Sequence, residues 1–176
     1  VRQERPSFLI LCEGKTERDY FIGMRSRRGP QIDVDIPDVD HLSIVREATV
    51  RKSDEYSSIW CALDTELDHA LTARLVDEAR RGEVNLCLST PCFEVWLILH
   101  HADCARPFQS AEEAKKKLKS LVRSWSEGST RFSDFSHGIE VACGRSRKLD
   151  PTGGEVLKNP STNAWKLVAE IQEEPE

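Results

Sequence analysis

The chain has 176 residues, 39% hydrophobic and 31% charged, with a formal net charge of -5 at pH 7. That length suits one well-buried domain rather than two large ones, and no apolar run approaches the roughly 18 residues that cross a bilayer. The acidic balance argues against a nonspecific nucleic-acid coat but leaves room for local basic patches. The first element is the run Phe8-Leu9-Ile10-Leu11-Cys12, a candidate buried strand that stops abruptly at Glu13, Gly14 and Lys15. A carboxylate, a flexible glycine and a cation would then share the carboxyl end of a strand, where open α/β sheets bind ligands. A plain strand-to-helix turn is the alternative. Thr16 with Asp19 reads as a helix-start box ahead of the apolar Tyr20, Phe21 and Met24, and Gly29-Pro30 ends that helix.

Gln31 to Ile36 alternates apolar and acidic residues as a half-buried strand does, and His41 to Lys52 carries Leu42, Val45 and Ala48 at helical spacing. A third strand, Ile59-Trp60-Cys61-Ala62-Leu63, runs into Asp64-Thr65-Glu66-Leu67-Asp68-His69. If extended geometry persists past Leu63, Asp64 and Glu66 face the same side and could hold a hard cation; a solvated acidic loop is the alternative. Ala70 to Arg81 predicts a helix stopped by Gly82, and Val84-Asn85-Leu86-Cys87-Leu88 a fourth strand at which the sheet would end. This alternation predicts a doubly wound parallel sheet flanked by helices, with Glu13 and Asp64 following neighbouring strands.

The remainder reads as mainly helical. Pro91 opens a helix that is apolar almost all round from Phe93 to Leu99, so Glu94 needs a structural partner, a metal or access to a cleft. Ser110 to Trp125 predicts a helix with its lysines outward, Ser126 to Asp134 a loop, Arg145 to Gly154 a mobile basic segment, and Trp165 to Ile171 a last helix. The expected division is an α/β core over 1–90 and a helical part over 91–176, packed as one compact domain.

Six cysteines do not form a secreted framework here: Cys12, Cys61, Cys87 and Cys143 sit in apolar or mixed segments and read as buried thiols. Cys87, Cys92, His100, His101 and Cys104 have zinc-ligand chemistry but no Cys-x-x-Cys pair. Basic clusters fall at Arg25-Ser26-Arg27-Arg28, Lys115 to Lys119 and Arg145-Ser146-Arg147-Lys148. Two of them beside Glu13 would make a phosphate backbone the natural partner. No basic, apolar leader opens the sequence, so a cytoplasmic location is the simplest expectation.

Glu13-Gly14-Lys15 with Asp64-x-Glu66 resembles the Toprim pattern of a glutamate followed by an Asp-x-Asp pair. More closely, Cys12-Glu13-Gly14-Lys15-Thr16-Glu17, Ser89-Thr90-Pro91-Cys92-Phe93-Glu94-Val95-Trp96-Leu97-Ile98-Leu99-His100 and Asn159-Pro160-Ser161-Thr162-Asn163 resemble the RloB family of prokaryotic defence-associated proteins. The resemblance implies a Toprim/Rossmann-like fold and a metal-dependent nuclease acting on RNA, such as tRNA, or on DNA. Glu13, Asp64 and Glu66, with Asp68 as the other candidate for the third acid, would hold Mg²⁺ or Mn²⁺. Glu13 would also move a proton, and Lys15 would neutralise phosphate charge. Gly14, Arg145, Arg147 and Lys148 are the candidate substrate contacts. The Glu66 departure keeps open a non-catalytic module that works with a partner ATPase. No Gly-x-Gly-x-x-Gly or Walker loop supports a simple nucleotide-binding protein.

Overall fold

A computed structural model describes residues 4–155 and 157–173; the extreme ends of the two expected parts lie outside them. Each of the first three strands is followed by a helix that returns the chain to the same edge: β1 (Ser7–Cys12), α1 (Lys15–Gly23), β2 (Gln31–Asp35), α2 (His41–Val50), β3 (Ser58–Asp64), α3 (His69–Gly82) and β4 (Asn85–Thr90). The four strands are parallel, and a fifth, β5 (Ser161–Thr162), joins them antiparallel in the order β2-β1-β3-β4-β5. The chain therefore builds outward from β1 to one side and then crosses to build from β3 to the other. The strand order reverses between β1 and β3, and a crevice opens at the carboxyl ends of such a pair.

Two apolar cores take alternate residues of the central strands, which are therefore buried on both faces. Leu9, Leu11, Cys61 and Leu63 pack under α2 and α3 with Ile44, Val45 and Leu75. Phe8, Ile10, Cys12, Trp60 and Ala62 face the other side, where Tyr20, Phe21, Phe93 and Trp96 join one larger cluster. Both faces of β1 are buried, as expected of a central parallel strand.

The C-terminal half adds α4 (Glu94–Leu99), α5 (Ala111–Leu121), α6 (Ile139–Leu149) and α7 (Ala164–Gln172) on the face that carries α1, and β5 at the edge of the sheet. Tyr20 stitches the halves together: its hydroxyl meets His100 Nε2 at 2.9 Å, and His100 Nδ1 lies 2.8 Å from the Trp96 carbonyl. Burial holds His100 down at about 4, so the ring is neutral near neutral pH. His101 Nε2 is 2.8 Å from the Asp134 carbonyl, and all six cysteines are free thiols, so these groups serve packing and loop anchoring.

Several local expectations change. Residues 145–149 are not a mobile segment but the last turns of α6, because Ile139, Ala142, Cys143, Ser146 and Leu149 recur every three or four residues against the larger core. The sheet does not end at β4: Asn163 donates to the Leu86 carbonyl and accepts from the Leu88 N–H, drawing the two-residue β5 onto the edge. Gly14 rather than Thr16 precedes α1, and no side chain caps it. The left-handed stop after α3 falls on Glu83 (φ 52), while Gly82 lies where a Cβ would collide with Thr49. The Thr90-Pro91 and Asn159-Pro160 bonds are cis, and α4 begins three residues after Pro91. Among the described residues no helix is long and apolar enough to cross a membrane.

Candidate active site

At the point where the strand order reverses, β1 ends one residue before Glu13 and β3 ends on Asp64. Their strands pair, with Cys12 opposite Ala62, so the two acids emerge side by side. Glu13 Oε1 accepts the Asp64 N–H at 2.8 Å, and Asp64 Oδ1 accepts the Phe93 N–H at 2.8 Å. These bonds tie the ends of β1 and β3 to the entry of α4. Each uses one carboxylate oxygen, and the second oxygen of Glu13 meets His41.

Glu17 stands four residues after Glu13, one turn into α1, and turns back toward it. Oxygens of Glu13, Glu17 and Asp64 lie within 4.8 Å of one another. Gly14 makes room for this: a Cβ there would stand 3.2 Å from Glu17 Oε2. Glu94 opens onto the same cleft of about 360 Å³, as do Lys15 and Lys115. The cation that acts on Glu94 is thus the lysine of α5.

Burial and mutual repulsion dominate the electrostatics. Burial pushes Glu17 up to about 8, and the charges of Glu13 and Glu94 add to the rise. Asp64 lies well above its ordinary value, first through burial and then through Glu13, Glu17 and Glu94. Burial raises Glu94 as well, against the opposing pull of Cys92 and Lys115. Three carboxyls displaced in one direction form a site that would gain from a cation. Three hard oxygen donors at this spacing fit Mg²⁺ or Mn²⁺.

Glu66 does not join Asp64. The strand stops at Asp64, Thr65 turns inward to bond Thr90 through its hydroxyl at 2.8 Å, and Glu66 and Leu67 adopt left-handed backbone (φ 53 and 59). The two-residue alternation expected past Leu63 is thereby broken. Glu66 instead approaches His41 on the other side of Glu13, with His41 Nε2 3.9 Å from Glu66 Oε1 and 2.5 Å from Glu13 Oε2. The bond to Glu13 raises the His41 pKa. Asp68 is the N-cap of α3, accepting the Leu71 N–H at 2.9 Å, and belongs to neither group of candidate ligands among the described residues.

The basic segment of α6 also lies elsewhere. Arg145 donates to the Leu99 carbonyl at 2.9 Å and pairs with Asp103, Arg147 stacks over Trp165 at 4.8 Å, and Lys148 is exposed. None of the three lines the cleft among its described residues. Arg25 and Arg28 line a separate cavity with Pro6 and Phe8, near the opposite end of β1. Of the three basic clusters, only the one on α5 reaches the acids, through Lys115. Sequence reasoning missed Glu17, His41 and Lys115 as site members. The i, i+4 spacing of Glu13 and Glu17 was the available signal for the first.

A family model described as RloB-like protein matches residues 8–171, so the chain belongs to the RloB-like family. No curated protein matches the chain. No solved structure does either.

Proposed function

We propose that this RloB-like protein is a divalent-metal-dependent nuclease that hydrolyses phosphodiester bonds of RNA or DNA in prokaryotic antiviral defence. The observation that carries this reading is the convergence of Glu13, Glu17, Asp64 and Glu94 on one cleft at the reversal of the strand order, with Lys15 at its edge. Glu13, Glu17 and Asp64 would hold Mg²⁺ or Mn²⁺. Once bound, the ion supplies Lewis-acid polarisation of a phosphoryl oxygen and neutralises developing charge.

The side chains divide the remaining work. The Asp64 and Phe93 N–H groups fix the Glu13 and Asp64 carboxylates, so little reorganisation is needed when substrate arrives. Glu94, with its raised pKa, holds a proton for the departing oxygen or removes one from the attacking water. Lys15, exposed at the start of α1, meets charge growing on the phosphate. Glu66, turned away with His41, plays no part in the main cluster.

The test incubates the chain with single-stranded RNA, tRNA and duplex DNA, with Mg²⁺ or Mn²⁺ and with chelator, beside Asp64→Asn. Cleavage that needs the metal and disappears in the variant is expected. Cleavage that resists chelator or survives in the variant would sink the reading. Ion binding without cleavage of any substrate would favour a non-catalytic module serving a partner ATPase, a role to which the displacement of Glu66 from the main cluster lends weight.

A further inference from the structure

Of the lysines that crowd α5, Lys115 is the one that reaches the cleft, and a carboxylate already holds it there. Lys115 Nζ lies 2.8 Å from Glu127 Oε1 and 3.7 Å from Glu112 Oε1. The Lys115 side chain is 22% exposed, whereas Glu127 is 67% exposed and rides on the turn from Ser126 to Ser129, which closes through reciprocal backbone bonds. Trp125, buried and bonded through Nε1 to Thr130 Oγ1 at 3.0 Å, anchors both ends of that turn. Glu127 and Gly128 line the cleft together with Glu13, Gly14 and Lys15.

This placement has a chemical consequence. Glu17 and Glu94 both feel the Lys115 charge, so the ammonium stands at the border between the acidic floor and the solvent. An anion bound to metal on that floor would present its outer oxygens to the same border. The carboxylate now in that position is mostly solvated and contributes little through an exposed ion pair. A phosphate, with more oxygens and more charge, is the stronger partner for an ammonium.

We propose that Lys115 forms a phosphate subsite beside the acidic cluster and that the Glu127 carboxylate occupies it as an internal stand-in until substrate displaces it. The proposal rests on the phosphodiester reading above and names a phosphate next to the reacting one as the group recognised. Glu127 then lowers affinity by competition, because a ligand that must displace an internal partner sees only the fraction of molecules in which the subsite is open.

The experiment measures binding of inorganic phosphate and, separately, of a fluorescent ten-nucleotide single-stranded RNA to the Mg²⁺-loaded chain at several salt concentrations. Glu127→Gln should bind both about 3- to 10-fold more tightly. Lys115→Met should bind phosphate several-fold more weakly and reduce the salt slope for RNA by about one unit. Unchanged or weaker phosphate binding by Glu127→Gln overturns the proposal, and because that residue is exposed the result stands even if Lys115→Met fails to fold. Wild-type phosphate affinity in a folded Lys115→Met overturns it equally. Phosphate binding that follows the expected pattern without any RNA binding or cutting would leave the subsite standing and remove the nuclease reading.

Discussion

Replacing Glu17 by glutamine should make the metal-free protein more stable, not less. Burial in the folded chain pushes the Glu17 carboxyl from its ordinary value of 4.5 up to about 8. Between those values the folded chain holds a proton that the unfolded chain has released. Stability is therefore fully present below the unfolded value and falls as pH rises, until the folded value is passed. At about 1.4 kcal/mol per unit, the climb from 4.5 to pH 7 costs about 3 kcal/mol. Glutamine keeps the shape and does not titrate, so at pH 7 in chelator Glu17→Gln should melt roughly 6–12 °C above wild type. Asp64, Glu94 and His41 are also raised and slope in the same direction, so the variant should retain a shallower fall with pH. Saturating Mg²⁺ should flatten the wild-type profile and reverse the order of the two proteins, since only wild type keeps the full ligand set. Thermal melts at half-unit steps from pH 5 to 8.5, with and without the metal, measure every part of this. A wild-type curve that is flat or rising in chelator, or a variant that melts no higher, would refute the argument.

Glu13→Gln should lower any cleavage rate by about 10²- to 10⁴-fold while the amide oxygen still accepts the Asp64 N–H, so activity should fall far more than melting temperature. Asp64→Asn should keep its bond from Phe93 yet abolish most of the Mg²⁺-induced thermal shift; an intact shift would remove Asp64 from the ligand set. Tyr20→Phe, far from the acids in role, should cost about 1–3 kcal/mol in urea unfolding, because it leaves buried His100 Nε2 unpaired, and should leave Mg²⁺ affinity unchanged.

The parallel strands were legible because burial on both faces writes itself into sequence as short apolar runs, and Phe8 to Cys12 and Ile59 to Leu63 are such runs. The positions of Glu13 and Asp64 followed from those runs alone. The sequence reading lost Glu66 because it extended a strand past Leu63, and nothing in Thr65-Glu66-Leu67 announces two consecutive left-handed residues. Glu17 was hidden for a different reason. An acid in a first helical turn is ordinary, so its i, i+4 spacing from Glu13 was a signal too common to single it out. The basic segment at 145–148 looked like a loop because the Pro151 and Gly153-Gly154 signals lie just beyond it, yet the apolar spacing that begins at Ile139 carries it into α6. Lys115 could not be separated from its neighbours by composition, since which lysine of a run faces a cleft is set by helix rotation.

The energetics of the acidic cluster bear on why it exists. Glu17 and Glu94 are 5% and 4% exposed, and each carries a carboxyl whose charged form burial disfavours. A fold selected for stability alone would place apolar or amide side chains at those two positions, as it does at neighbouring Phe21 and Val95. Lys115 is a cation that acts on both, and it is itself paired to Glu127 at the rim. The arrangement gathers carboxyl groups that resist ionisation at the carboxyl ends of β1 and β3, in the crevice where α/β sheets bind their ligands. A buried carboxyl held in its neutral form is a cost in the free protein above the ordinary carboxyl pKa, and a divalent ion that takes the proton's place gains that oxygen as a ligand. The same cost that lowers stability in chelator is what a bound cation would recover, so the pH profile of stability and the affinity for metal should change together in every variant of the cluster.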